Sequence, residues 1–133
     1  MHKDILFDCI GVLYTPDRNQ LLIDYIQQLR QKYKVFLFSN LSPSSLQRYF
    51  DTSEQKQLFD AVFAIGGSGV LKPDTQAYSD VCEDLLIAAD QAVMIDDSSD
   101  NCVAARRFGM AAVKYESFEQ TRRDLSAVLE QGA

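Results

Sequence analysis

One histidine, no tryptophan and three cysteines in 133 residues leave little material for several common kinds of site chemistry. The histidine, His2, lies at a chain terminus, where backbones fray, so histidine-based catalysis and histidine-rich metal sites have no scaffold. Cys9, Cys82 and Cys102 are odd in number and none is spaced as a CxxC pair, which argues against a disulfide framework and against a cysteine zinc site. Unpaired thiols suit a reducing compartment, and the expected location is cytoplasmic. Long apolar runs are missing too. Met1 to Asp4 are polar and the run after them is only a few residues long, so neither a signal peptide nor a membrane span is expected. A formal net charge of -6 provides no broad positive field for nucleic acid or an anionic membrane, although a local positive pocket remains compatible with it.

What the chain does have is 47% hydrophobic and 24% charged residues, the balance of one globular domain with a real core over 1–133. Short apolar runs alternate with helical patterns. Strands are expected at Ile5 to Asp8, Val35 to Phe38, Ala61 to Ile65, Ala92 to Ile95 and Ala111 to Lys114. The fold class is therefore α/β, a three-layer Rossmann-like domain in which helices flank a five-stranded parallel sheet.

The helices follow from spacing and caps. Leu21, Leu22, Tyr25, Ile26, Leu29 and Tyr33 recur at three- and four-residue intervals, which predicts a helix between the first two strands. Ser42 before Pro43 predicts a second helix through Leu46, Tyr49 and Phe50, with a short helical stretch to Phe59 after it. Asp74 is placed to cap a third, whose Ala77, Tyr78, Val81, Cys82, Leu85 and Leu86 form one apolar face. The next begins near Ser98, carries Val103, Ala104 and Phe108, and ends at Gly109, while Ser117 with Gln120 forms a capping box for the last.

In an open parallel sheet, ligands bind beyond the carboxyl ends of the strands. Asp8 ends the first strand, Ser39 and Asn40 the second and Asp96 with Asp97 the fourth, while Lys72 follows the third. Singly, each has a plain structural role as a turn former or cap. Together, three carboxylates at one crevice repel one another unless positive charge sits among them. Lys72 and a hard divalent cation would meet that need, and an oxygen-only ligand set points to magnesium. Such an assembly suits phosphoryl transfer, where positioning and charge neutralisation supply most of the catalysis.

These residues lie in strings that resemble four motifs of the haloacid dehalogenase superfamily. Phe7-Asp8-Cys9-Ile10-Gly11-Val12-Leu13 resembles the first, an apolar strand ending in Asp-x-Asp-Gly-Val/Thr-Leu. Phe38-Ser39-Asn40 is similar to the second, Leu71-Lys72-Pro73-Asp74 to the third, and Met94-Ile95-Asp96-Asp97-Ser98 with Asn101, Ala105, Gly109 and Met110 to the fourth. The resemblance implies that Asp8 is a nucleophile forming an aspartyl-phosphate. It implies a magnesium site of Asp8, the backbone carbonyl of Ile10 and Asp97, with Asp96 helping through the metal or its waters. Ser39 and the amide of Asn40 would bind the phosphoryl group, Lys72 would neutralise charge, and Asn101 would orient the fourth-motif loop. Gly66-Gly67-Ser68-Gly69 lacks the ending of a P-loop and reads as a flexible approach to Lys72.

Two departures stand out. Ile10 occupies the position of the family's acid/base aspartate, and an alkyl group can neither protonate a leaving oxygen nor activate water. Loss of such help removes ~10²–10⁴ in rate, so alkyl phosphate esters should turn over slowly while acyl or aryl phosphates suffer less. Tyr14, Thr15 and Asp17 on the following loop are the candidates to substitute. Dehalogenase and phosphonatase branches also lack this aspartate. They rely on cap residues, however, and the dehalogenases lack the paired aspartates present here. The second departure is that no segment is long enough for a cap domain, so the crevice should be open unless an oligomer partner covers it. Two functions compete: a magnesium-dependent phosphatase or phosphotransferase with impaired acid/base catalysis, and a catalytically silent domain that binds a phosphorylated ligand or a protein partner.

Overall fold

The computed structural model describes residues 2–130. Strands β1 (Asp4–Phe7), β2 (Lys34–Ser39), β3 (Ala61–Ala64), β4 (Ala92–Asp96) and β5 (Ala111–Lys114) form one sheet in the order β3-β2-β1-β4-β5. Every pairing is parallel. The three central strands are almost continuously buried, as short apolar runs covered on both faces must be.

Alternation along the strands divides the core in two. Ile5, Phe7, Val35, Leu37, Val93 and Ile95 face one layer, where α1 (Gln20–Leu29) and α6 (Phe118–Glu130) supply Leu22, Ile26, Leu125 and Leu129. Leu6, Phe36, Phe38 and Met94 face the other, against Tyr78 and Val81 of α4 (Thr75–Leu85) and Ala105 of α5 (Ser99–Phe108). Full burial of one such large apolar side chain stabilises the fold by about 1.5–3 kcal/mol before entropy is counted.

The caps behave as the sequence suggests. Ser42 accepts from the Ser45 amide ahead of α2 (Pro43–Leu46), Asp74 from Gln76 and Ser98 from Asn101, while Ser117 accepts from Gln120 and Gln120 in turn from Ser117. Asn19 caps α1 and Asp51 caps α3 (Thr52–Leu58).

Three expectations are corrected. The helix after Ser42 stops at Leu46, and the amides of Arg48, Tyr49 and Phe50 turn back onto the Ser45 and Leu46 carbonyls, which still delivers Phe50 to the core. Leu21 and Leu86, on the apolar faces predicted for α1 and α4, are exposed, and so is Val103, one of the apolar residues that α5 carries. Leu86 is the left-handed residue that ends α4, at φ 56°, so its side chain leaves the helical register altogether.

The sheet order makes β1 the point where the chain reverses: β2 and β3 lie to one side of it, β4 and β5 to the other. The carboxyl ends of β2, β1 and β4 are therefore adjacent, and their termini carry Ser39, Asp8 and Asp96.

Candidate active site

Asp8 follows the last residue of β1, its amide held by the Ile95 carbonyl at 3.0 Å. The chain then tightens, with the Cys9 carbonyl accepting from the amides of Val12, Leu13 and Tyr14 at 3.3, 2.8 and 3.2 Å. This turn needs Gly11, at φ +88°. A Cβ there would also meet the Asp97 carboxylate, 2.2 Å from Oδ2 and 2.7 Å from Oδ1. The glycine thus lets the first and fourth strand-end loops touch.

Lys72 arrives from the connection between β3 and α4. Its peptide is clamped by the Asn40 side chain: the Lys72 N–H donates to Oδ1 at 2.9 Å and Asn40 Nδ2 donates to the Lys72 carbonyl at 3.1 Å. Its ammonium is buried and gives one hydrogen bond each to Asp8 Oδ1 (3.1 Å), Asp96 Oδ2 (3.0 Å) and the Phe38 carbonyl (2.9 Å). It also lies 4.8 Å from the centre of the Phe38 ring, which Tyr78 supports edge-on. All three ammonium protons are engaged.

Asp96 is fully buried and equally committed. Oδ1 accepts from the Ser98 amide at 3.0 Å, and Oδ2 accepts from Asn101 Nδ2 at 3.1 Å as well as from Lys72. Asn101 is fixed in turn, because Tyr78 Oη donates to its carbonyl at 2.9 Å. Asp97 is exposed. One oxygen from each of Asp8, Asp96 and Asp97 lies within 4.8 Å of the others, a group able to hold a metal ion.

The electrostatics are those of a site with too much negative charge. Burial pushes the Asp8 carboxyl up to about 7; Asp96 pushes the same way, and Lys72 opposes both. Burial and then the Asp96 charge also raise Asp97. One lysine does not balance three carboxylates, and a proton on Asp8 or a second cation would offset the remainder. Cys9, beside Asp8, is pushed up to about 12 by burial and the neighbouring carboxylate, which leaves its thiol inert.

Of the residues singled out in the sequence, the structure brings Asp8, Lys72, Asp96, Asp97 and Asn101 into one cluster. Ser39 is buried at the end of β2, with its hydroxyl oxygen accepting from the Leu41 amide at 3.1 Å and its proton left to donate. Ile10 turns its side chain outward, 44% exposed, and among the described residues no N–H donates to its carbonyl. Of the loop residues that could replace the missing acid, Tyr14 is spent elsewhere: its hydroxyl donates to the Tyr49 carbonyl at 2.8 Å. Thr15 and Asp17 are exposed.

Three contributors are not evident from the sequence alone: Gly11 as the seat of Asp97, Phe38 with Tyr78 as the platform under Lys72, and Gly66. The last is no flexible approach. A Cβ on it would sit 2.3 Å from the Ser42 amide and 2.6 Å from the Asn40 carbonyl, so Gly66 packs the Lys72 connection against the loop after β2. Gly67 and Gly69 do have open space around them. The signal available was a glycine inside the first motif and another a few residues before the third, but not the partner each touches.

Fold and site together define a class, a parallel α/β domain with a lysine-bridged carboxylate cluster at its central strand ends. The chain belongs to the haloacid dehalogenase-like hydrolase family, whose profile matches residues 12–109. It is 28% identical over 108 residues to a drimenol cyclase of Aspergillus calidoustus, 78% of this chain and 20% of that protein. It is 26% identical over 83 residues to a sesquiterpene phosphatase of Aspergillus oryzae, 62% of this chain and 42% of that protein. The match therefore spans less than half the length of either relative. Among solved structures, an uncharacterized protein from Corynebacterium glutamicum superposes with a TM-score of 0.83 at 21% identity over 96% of this chain and 95% of that one. A haloacid dehalogenase family enzyme from Bacteroides thetaiotaomicron, in complex with magnesium and inorganic phosphate, superposes with a TM-score of 0.76 at 16% identity over 89% and 96%. At these identities the structures establish the fold. No helix among the described residues is long and apolar enough to cross a membrane.

Proposed function

We propose that this hydrolase-family chain is a magnesium-dependent phosphatase or phosphotransferase that works through an aspartyl-phosphate on Asp8. The observation that carries the reading is the buried Lys72 ammonium held between Asp8 and Asp96 with Asp97 beside them. Such a cluster costs stability unless charge is brought to it, and phosphate chemistry is what it suits. The donor set fits a hard cation, being oxygen-only. Asp8, Asp97 and the Ile10 carbonyl would hold the ion, while Asp96, whose two oxygens already accept N–H bonds, would act through bound water. Bound magnesium would supply charge neutralisation for the phosphoryl oxygens.

Around that ion the chain's own residues divide the work. An Asp8 carboxylate oxygen attacks phosphorus as the bond to the leaving oxygen breaks. The Ser39 hydroxyl and the Asn40 amide hold phosphoryl oxygens, Lys72 balances the accumulating charge, and Asn101 keeps Asp96 in place. Water or another acceptor then takes the phosphoryl group and frees Asp8. Ile10 gives the leaving oxygen no proton, so this step lacks help worth ~10²–10⁴ in rate. The phosphatase among the relatives and the magnesium and phosphate in the Bacteroides enzyme support the same chemistry. The chain is read as a single core domain without a cap, open to a phosphorylated substrate or to a second copy lying over the site, with no role for nucleic acid or membrane.

The decisive experiment is turnover of 4-nitrophenyl phosphate. Activity should need magnesium and vanish in Asp8→Asn; activity surviving that substitution defeats the proposal. Ile10 favours one other reading, a domain that binds phosphorylated ligands without turning them over. In that case calorimetry would show magnesium-dependent phosphate binding by a protein that hydrolyses none of its ligands.

A further inference from the structure

We infer that the site acts on anhydrides of phosphoric acid, the terminal phosphoryl group of a diphosphate or of an acyl phosphate, and not on phosphate esters of simple alcohols. The inference rests on the aspartyl-phosphate reading above and concerns which leaving group that reaction can expel.

Among the described residues no acid is placed to protonate a leaving oxygen. The Ser39 hydroxyl, whose proton is free, is a phosphoryl donor in this mechanism, the carboxylates serve as nucleophile and metal ligands, and no side-chain hydrogen bond ties the exposed Thr15 or Asp17 to the cluster. Lys72 has given all three of its hydrogen bonds to Asp8, Asp96 and the Phe38 carbonyl. Tyr14 donates to the Tyr49 carbonyl, and its ring packs edge-on against Tyr49 and Phe50 at 4.9 and 5.6 Å. The Asn101 amide donates to Asp96, and Arg18, on the loop that follows the first motif, is paired with Glu54 at 2.7 Å. Cys9 is buried beneath the turn. His2, the one imidazole, precedes β1 and so lies at the opposite end of that strand from Asp8. At Ile10 itself there is only alkyl surface.

The chemistry of the leaving group then decides the substrate. An alkoxide is about as basic as hydroxide, the conjugate base of water at pKa about 15.7, and it cannot depart unprotonated at a useful rate. A departing phosphate monoester, with a second pKa of about 6, or a carboxylate, at about 4, is already a stable anion at neutral pH. With either anhydride the Asp8 oxygen–phosphorus bond forms and the bridging phosphorus–oxygen bond breaks. The electron pair leaves on the departing anion, and no proton moves. Water then attacks the phosphorus on Asp8, loses its proton to bulk solvent, and releases phosphate and the free carboxylate. Loss of the acid at position 10 becomes a filter, since it penalises basic leaving groups and spares anionic ones.

The test is kcat/KM of the whole protein with magnesium for acetyl phosphate, butyl diphosphate, phenyl phosphate and butyl phosphate, corrected for spontaneous hydrolysis. Both anhydrides should exceed butyl phosphate by at least ~10², with phenyl phosphate between, and Ile10→Asp should shrink that ratio by a similar factor. If Ile10→Asp does not fold, the series on the parent decides alone. Butyl phosphate turned over within tenfold of acetyl phosphate overturns the inference, and its loss in Asp17→Asn would then identify the acid. That outcome leaves the Asp8 mechanism standing, whereas no Asp8-dependent turnover of any of the four overturns both.

Discussion

The inner and outer halves of the site are built on opposite rules. Inward, Lys72, Asp96, Asn101, Phe38 and Tyr78 are buried or nearly so, and every polar atom the cluster turns inward has a named partner. Outward, Ile10, Asp97 and Leu71 are exposed, and Gly67 and Gly69 are open to space. The inner half holds charge in place whatever the substrate does. The outer half is where the group that leaves must be handled, and that is where the chain departs from its family's pattern at Ile10. Pocket and turnover are therefore separable properties, and substitutions in the two halves should have different signatures.

The largest effect is expected from Lys72→Met. Removing a buried cation between two carboxylates leaves charge uncompensated, a change that typically costs about 3–5 kcal/mol. Uptake of a proton by Asp8 should hold the loss near the lower end. Urea unfolding should show that drop together with abolished turnover. If stability stays within about 1 kcal/mol of the parent, the inner half is not the scaffold described.

Gly11→Ala attacks the contact between the halves. A positive φ costs a side-chain-bearing residue about 1–2 kcal/mol, and the new methyl must displace Asp97. Magnesium affinity should fall by roughly 10–100-fold, the usual penalty for disturbing a ligand's support, as read by calorimetry. Unchanged affinity would mean that Asp97 is not a ligand.

Much of the scaffold was legible in the chain itself, since five short apolar runs each bounded by a cap or turn leave few alternatives to a parallel sheet. Residues that end those runs were legible too, because strand ends converge. What periodicity does not reveal is which edge of a helical stripe finds cover, and so Leu21, part of the apolar stripe of α1, lies outside. Nor does spacing reveal contacts between distant loops. Lys72 meets Asp96 across 24 residues of sequence, and Gly11 meets Asp97 because two strand ends are neighbours in space. Tyr78 was expected as plain core on its helix. Its hydroxyl is what ties that core to Asn101.

Asp8 sets the pH dependence. Its folded value of about 7 lies above the ordinary 3.8, so its contribution to stability is full below about pH 4 and is lost as pH rises through 7. A bound cation displaces that proton, so magnesium affinity should rise by up to tenfold per pH unit up to about 7 and level off above it. Thermal shifts induced by magnesium should accordingly be larger at pH 8 than at pH 5.5. Equal shifts at the two values would show that the inner half already balances its charge without a metal.

The smallest effect is the one that tests the outer half on its own terms. Leu71 precedes Lys72 and is 45% exposed, so it contributes little buried area although its neighbour anchors the site. Leu71→Ser should therefore leave the unfolding free energy within about 0.5 kcal/mol of the parent, as surface changes away from caps and cores do. The Lys72 peptide is fixed by Asn40 and its ammonium by three acceptors, none of which involves the Leu71 side chain. A loss above about 1.5 kcal/mol in urea unfolding would mean that rim and scaffold are mechanically one body. Specificity could then not be altered at the rim without unsettling the charges beneath it.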